Sequence, residues 1–353
     1  PAGQSTLLKQ EEIEDLMDQL STIDDKSIER QVSRAIKEKK IDVVAERQVL
    51  KKLEVLIRDL HRYLHSFEYS LPSEGRHPLN YTCAYWQKEL GEGERVQYRL
   101  VIRCYYVAPL IKKILSPLTV AFSATIGDPE IFGYETGIKG KFLSLPSTFP
   151  VVNTRIFMPK DTPNLALNSR DKRDVTRSLR KIARASAHFA KRKIRSLVVV
   201  VSNAERDKFL MMAEEEGVKA ISYGNGFRNG EGEVLVGTAA NYAEGSALPN
   251  QIAPVIFFLR PGYPNPQDPG TQFEEKRFGS QRWPIWNWRV MLQALQVRGR
   301  NIRSTRDLGV TFFISQQFRR FLRSSLPEWL QDAYQSELTF DQCVAETEKL
   351  LKE

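Results

Sequence analysis

Arg298, Arg300 and Arg303 fall within one short stretch, with Gly299 between the first two, Gln296 just ahead, and Asp307 and Gly309 just behind. A guanidinium stays charged at any physiological pH, and its planar fork matches two phosphate oxygens at once, so this cluster suits phosphate recognition. The stretch joins a predicted helix over 286–297 to a predicted strand over 309–315. That puts the arginines near one end of a strand, where open α/β sheets place their ligand crevice. A solvated basic loop is the competing reading of the same spacing, and the glycine between two arginines weakens it.

A second concentration of charge lies between 170 and 195, where eleven Lys/Arg face only Asp171 and Asp174, a local net of +9. Val175, Leu179, Ile182, Ser186 and Phe189 recur at helical spacing, so a helix over about 171–193 buries that stripe and turns its charges outward. Arg177, Arg180 and Arg184 on such a face would track a nucleic-acid backbone. A solvated face, or a docking surface for an acidic protein, accounts for the charge equally well. Ser202 and Thr238, at the ends of two predicted strands, offer hydroxyls for phosphate contacts. Trp283, Trp286 and Trp288 could stack on bases, although aromatic residues beside a helix start more often pack into a core. His61 and His65 sit one helical turn apart without a third ligand, and Cys83, Cys104 and Cys343 are too scattered for a cluster, so no metal site is expected.

These groups need a scaffold, and the sequence describes one. Ser196 to Val201 is a continuous apolar, largely β-branched run, the mark of a strand buried on both faces of a parallel sheet. Around it alternate predicted helices over 203–216, 286–297, 317–323 and 339–352 and strands over 218–222, 233–237, 254–259 and 309–315, an α/β signature. Upstream, 80–122 reads as mostly strands, with a Gly-Glu-Gly turn at 91–93 and a strand over 118–122. Residues 1–70 are nearly free of Gly and Pro and carry a net charge of −2, against +11 for the remainder, with helical spacing from Val49 to Phe67. The Pro72-Ser73-Glu74-Gly75 cluster closes that helical segment. The chain has 353 residues, 41% apolar and 27% charged, with no apolar run long enough to span a bilayer. A reducing compartment, cytoplasmic or nuclear rather than secreted, is expected. The net charge of +9 favours an anionic partner.

The run from Gln296 to Gly309, written Gln-x-x-Gly-Arg-x-Ile-Arg-x-x-x-Asp-x-Gly, resembles the sixth motif of superfamily 2 helicases in the form used by the XPD/DinG group. Ser123-Ala124-Thr125 resembles the third motif. Val234 to Thr238 with Ala243-Glu244-Gly245 and Leu248-Pro249 resembles the fifth, and Val198 to Ser202 sits where the fourth belongs. The Pro-rich Leu259 to Pro269 also resembles the segment that follows the fifth motif. Motif five departs from the family in having Ala247 where an acid is usual.

The resemblance implies a RecA-like parallel-sheet motor domain over 151–353, the C-terminal part of a first motor domain over 76–150, and a helical arch-like segment over 1–75. It implies an ATP-dependent DNA helicase acting on single-stranded or forked DNA, with links to DNA repair and a nucleoid-associated or nuclear location. Arg300 and Arg303 would meet the transferring phosphoryl group and Gln296 would orient the γ-phosphate or the attacking water, while Glu244, Gly245 and Gly299 line the nucleotide cleft. Ser123, Ala124 and Thr125 would couple the two halves. No Gly-x-x-x-x-Gly-Lys-Ser/Thr loop occurs, since Gly140-Lys141 is followed by Phe142. The resemblance therefore makes this chain the C-terminal half, with ATP and Mg²⁺ held mainly by an N-terminal motor domain and any iron–sulfur cluster carried there as well. Positions 298 and 301 are variable in the motif, and Arg298→Ala and Asn301→Ala are expected to be mild.

Overall fold

The computed structural model describes residues 5–7, 82–90 and 96–104, scattered positions between 11 and 55 and between 108 and 114, and residues 115–352 apart from 124, 167–171, 223, 240–251, 300 and 303. The chain divides into two compact units. The first, 1–118 with 134–138 and 264–282, holds an antiparallel sheet of β1 (Ser5–Leu7), β2 (Thr82–Leu90) and β3 (Val96–Cys104), and a helix Pro269–Phe278. The predicted strand pair on either side of the glycine turn is there as a nine-residue ladder. Glu11, Asp15, Arg30, Lys37 and Val55 are among the described helical positions of the leading segment. Most of that segment, including His61 and His65, lies outside the described residues. These two units cut across the boundaries at 75/76 and 150/151 that the sequence suggests.

The second unit, 119–133 with 139–263 and 283–353, is built on seven parallel strands. They are β4 (Thr154–Phe157), β5 (Ser196–Val200), β6 (Ala220–Ile221), β7 (Val234–Thr238), β8 (Val255–Phe258), β9 (Gly309–Phe313) and β10 (Tyr334–Gln335), in the order β10-β4-β9-β8-β5-β7-β6. The α-helices whose bounds are described are α1 (Pro129–Thr136), α2 (Lys172–Ala190), α3 (Asn203–Glu215), α4 (Gly224–Arg228), α5 (Pro269–Phe278), α6 (Arg282–Arg298), α7 (Leu322–Ser325) and α8 (Phe340–Lys352).

Side chains alternate across the sheet as period-two geometry requires. Leu197, Val199, Leu235, Ile256, Phe258 and Phe313 point to one face, where Val290, Met291, Ala294 and Leu295 of α6 cover them. Val198, Val200, Val236, Phe257, Val310 and Phe312 point to the other, against Leu179, Ile182 and Phe189 of α2, Phe209 of α3 and Phe340 of α8. Phe257 and Phe312 lie 4.8 Å apart and continue to Phe157 and Phe340, so the second face is cemented by aromatic packing. Burial on both faces explains why Leu197–Val200 shows no polar alternation.

Two predicted elements differ. Leu118 to Phe122 is irregular, with Leu118, Val120 and Phe122 exposed at 86%, 84% and 95%. Apolar alternation makes a strand only where another strand supplies the ladder, and the described residues place none beside it. The predicted helix over 317–323 is a 3₁₀ turn, Gln316–Arg320, followed by the single turn of α7.

Candidate functional site

Every strand of the seven-stranded sheet points the same way, so the domain has a carboxyl end and an amino end. The candidate residues divide between them. Thr238 closes β7 opposite Val200, and Ser202 follows β5 by two residues, so both hydroxyls sit at the carboxyl end. Helix α6 runs back along the sheet and leads into β9, so the bend 299–308 lies at the amino end, where Gly309 pairs with Thr154 and Val310 with Val255. Ligands of open α/β sheets favour the carboxyl ends, and the described residues of this stretch, Arg298, Gly299, Asn301, Ile302 and 304–309, lie at the opposite one.

Ser202 caps α3. Its Oγ accepts from the Glu205 N–H at 3.2 Å, and the Glu205 carboxylate reaches back to the Val201 N–H at 2.9 Å, closely related to a capping box. Glu205 also takes Arg260 Nε and Nη2 at 2.9 and 2.8 Å, which offsets its charge at this end of the sheet. The cap uses a lone pair of the Ser202 hydroxyl and leaves its proton available to a ligand oxygen. Thr238 is half-buried.

The bend at the amino end is built from buried parts. Asn301 Nδ2 donates to the Pro254 carbonyl at 3.1 Å, Ile302 is buried, and the Asp307 carboxylate accepts from the Ser304 N–H at 2.7 Å. Asn153 Nδ2 holds the Thr305 carbonyl at 2.8 Å. A Cβ at Gly309 would meet Ile302 Cγ1 at 2.8 Å and Asn301 Nδ2 at 3.0 Å, so this glycine is required by close approach. Gly299 follows the last turn of α6, donating to the Leu295 carbonyl at 2.8 Å, and Gln296 is exposed one turn earlier. Arg300, Arg303, Glu244, Gly245 and Ala124 lie outside the described residues.

Arg298 and Asn301 depart from what their variable motif positions suggest. Arg298 is buried, donating from Nη2 to Thr154 Oγ1 at 2.7 Å, and Thr154 in turn donates to the Gly309 carbonyl at 3.1 Å. Its Nε and the Asn301 Oδ1 have no hydrogen-bond partner. Burial lowers the Arg298 pKa to about 10. Both side chains therefore brace the bend, and alanine at either position would disturb structure first. Their expected mildness is corrected on that ground.

The α2 arginines also have protein partners. Arg180 pairs with Glu215 at 2.6 Å, Arg184 with Glu216 at 3.0 Å and Arg177 with Asp174 at 3.5 Å. The acidic end of α3 thus offsets part of the charge that the sequence turns outward. Ser123 Oγ accepts from the Thr125 N–H at 3.2 Å. The segment after it is held by Trp288, whose Nε1 donates to the Ile126 carbonyl at 2.9 Å and lies 2.7 Å from where a Cβ on Gly127 would stand. Sequence reading gives Trp288 as a base-stacking or, more often, a core residue, and the positive φ of Gly127 has no clear signal in the sequence. Cys343 is buried, and burial pushes its thiol up to about 12, which removes it as a nucleophile. Among the described residues no three His, Cys, Asp or Glu side chains converge as a metal ion would need, and no helix is long and apolar enough to cross a membrane.

Residues 175–333 match the helicase C-terminal domain family. The XPD helicase structure superposes with a TM-score of 0.52 at 14% identity, over 94% of this chain and 65% of that one. S. cerevisiae Dbp5 bound to RNA and ADP BeF3 aligns at 15% identity over 68% of this chain and 57% of its own, with a TM-score of 0.40. S. tokodaii Xpd4 aligns at 12% over 52% and 38%, with a TM-score of 0.34. No curated protein matches. The chain spans about 65% of the XPD helicase chain it superposes on. Residues 175–333 are similar to the helicase C-terminal domain family, and the parallel seven-stranded sheet shares the fold of the XPD helicase structure.

Proposed function

We propose that this chain forms the C-terminal part of an ATP-driven DNA helicase, in which the second motor domain works against an N-terminal motor domain to move along single-stranded or forked DNA. The observation that supports this reading is the buried framework that Asn301, Ile302, Asp307 and Gly309 build shortly after the exposed Gln296. Phosphoryl transfer depends on positioned charge, and an arginine brought across a domain cleft contributes roughly 10³–10⁵ in rate. Arg300 and Arg303 take that role, Gln296 orients the attacking water, and Glu244, Gly245 and Gly299 line the cleft. ATP and Mg²⁺ are held mainly by the N-terminal half, so the chain alone binds nucleotide weakly. The experiment is to join the chain to an upstream half bearing a phosphate loop. DNA-stimulated ATPase activity is the expected result, and tight ATP binding with turnover by the chain alone would overturn the assignment of the nucleotide site.

The exposed apolar stretches Val120, Phe122 and Leu143, Leu145 support an N-terminal partner that covers them. The isolated chain should bind a hydrophobic dye strongly and lose most of that signal when it is co-produced with the upstream half. Equal dye binding in both samples would remove this support.

Ser202 and Thr238 contact the nucleic-acid backbone at the carboxyl end in this reading, with Arg177, Arg180 and Arg184 adding charge along α2. Replacing those three arginines by alanine should weaken single-stranded DNA binding and flatten the slope of log affinity against log salt by about 0.7 per lost phosphate contact. The fold should survive, since exposed ion pairs contribute only about 0–1 kcal/mol each. An unchanged slope in that titration would assign the helix to its pairs with Glu215 and Glu216. A non-catalytic nucleic-acid-binding module with the same fold is the alternative, and an ATPase assay on the joined protein separates the two.

A further inference from the structure

The sheet's carboxyl end extends past Ser202 to a group of side chains that none of the helicase motifs includes. Trp283, at the start of α6, is 48% exposed, while Trp286 is buried and Trp288 is tied to Ile126. Its ring is held edge-on by Tyr263 at 5.6 Å and Trp286 at 5.4 Å, with interplanar angles of 87° and 81°. Tyr263 is fixed in turn by Phe321 and by its hydroxyl, which donates to Asn287 Oδ1 at 2.6 Å. An indole with half its surface in water and two edge contacts behind it is an ordered platform, and every nucleic-acid base has a π-face to lay on it.

The charge beside it is of one sign. Burial pushes the Tyr263 phenol up, and Arg320 lies close enough to oppose that shift. Arg319, Arg320 and Arg323 are exposed and, among the described residues, their side chains make no ion pair or hydrogen bond. The segment 316–325 contains these three arginines and no acid. That is the reverse of α2, where Glu215 and Glu216 already occupy Arg180 and Arg184. Glu205 at this end of the sheet is taken by Arg260.

Topology puts these groups in a line. The carboxyl ends of β9, β8, β5 and β7 are consecutive neighbours and carry, in that order, the arginines, Tyr263 with Trp283, Ser202 and Thr238. Three strand spacings of about 4.8 Å make this a path of about 14 Å. We propose that Trp283 with Arg319, Arg320 and Arg323 forms a base-stacking subsite for single-stranded nucleic acid, one that continues the path of Ser202 and Thr238 across β8 and β9. The inference rests on the nucleic-acid part of the reading above. It does not depend on ATP hydrolysis.

The test uses the whole chain with a fluorescein-labelled oligothymidylate about 12 nucleotides long and an abasic oligomer of the same length, titrated by anisotropy at several salt concentrations. Trp283→Ala should weaken oligothymidylate binding about 10- to 100-fold and leave abasic binding nearly unchanged, and Trp283→Phe should recover most of the loss. Changing Arg319, Arg320 and Arg323 to Gln should weaken both oligomers and flatten the salt slope by about 2 if all three meet phosphates. These arginines are exposed, so their variant reports even if Trp283→Ala fails to fold. Equal losses on both oligomers in Trp283→Phe and Trp283→Ala, or no loss in the arginine variant, would overturn the subsite. Polyglutamate binding as tightly as DNA, lost in the arginine variant and indifferent to Trp283, would make the face a dock for an acidic protein and overturn it as well. Failure here with an active Arg300-dependent ATPase would leave the motor reading intact, and the reverse result would leave the subsite on a non-catalytic module.

Discussion

Arg300→Lys, made in a protein that joins this chain to an upstream motor half bearing a phosphate loop, should, on the proposed function, lose most of its DNA-stimulated ATPase while binding nucleotide nearly as before. The reason is differential: an arginine that meets charge developing on the transferred phosphoryl group lowers the barrier without adding much to ground-state affinity. Lysine keeps the charge and loses the fork, so it cannot hold two oxygens in one plane. Arg300→Ala should be worse still, by up to roughly 10³–10⁵ in rate, and Arg303→Ala should behave similarly. The controls must come from the same bend without bracing it. Arg298 and Asn301 are buried and fail that requirement, whereas Arg306 is exposed, with a side chain that makes no ion pair among the described residues. Steady-state assays at saturating single-stranded DNA would rank the variants, and wild-type activity in both Arg300 variants would end the motif-six assignment.

How far the sequence reads through to the structure depends on whether a feature is local. Leu197–Val200 is legible because burial on both faces leaves no polar position in the run. Helix α5 is missed because its prolines read as a loop, although Asp268 before Pro269 is a helix start: the Asp268 carboxylate accepts from the Thr271 N–H at 3.0 Å and the proline opens the first turn. β4 and β10 are missed for another reason, since strands of four and two residues depend on partners far away in the chain. The spacing of Gln296, Gly299, Asp307 and Gly309 is legible as a motif. Which end of the sheet it occupies is not, because that follows from the direction of α6 and the register of β9. The pairing of Arg180 and Arg184 with Glu215 and Glu216 is likewise a contact between two helices and invisible in either one.

Arg298 is where motif and structure part furthest, and its substitutions should separate volume from charge. Arg298→Ala should destabilise the seven-stranded domain by about 2–4 kcal/mol, because it leaves a cavity between α6 and β4 and takes a hydrogen-bond partner from Thr154. Arg298→Met should cost less than about 1.5 kcal/mol: it fills nearly the same volume and removes a charge whose burial lowers the pKa to about 10, a penalty on the order of 3 kcal/mol. Solution pH cannot relieve that penalty near neutrality. Below about pH 10 the guanidinium is charged in both folded and unfolded chains, and only above about 10 does the unfolded chain keep a proton that the folded chain releases, so stability attributable to this group begins to rise with pH only there. Thr154→Val should be costly in the parent, where it strands Arg298, and much milder beside Arg298→Met, where the remaining loss is its bond to the Gly309 carbonyl. Denaturant midpoints for the four proteins give the coupling directly. Equal stability of Arg298→Ala and the parent would mean that the guanidinium lies in solvent, and additive losses for the pair would mean that the 2.7 Å contact with Thr154 contributes nothing.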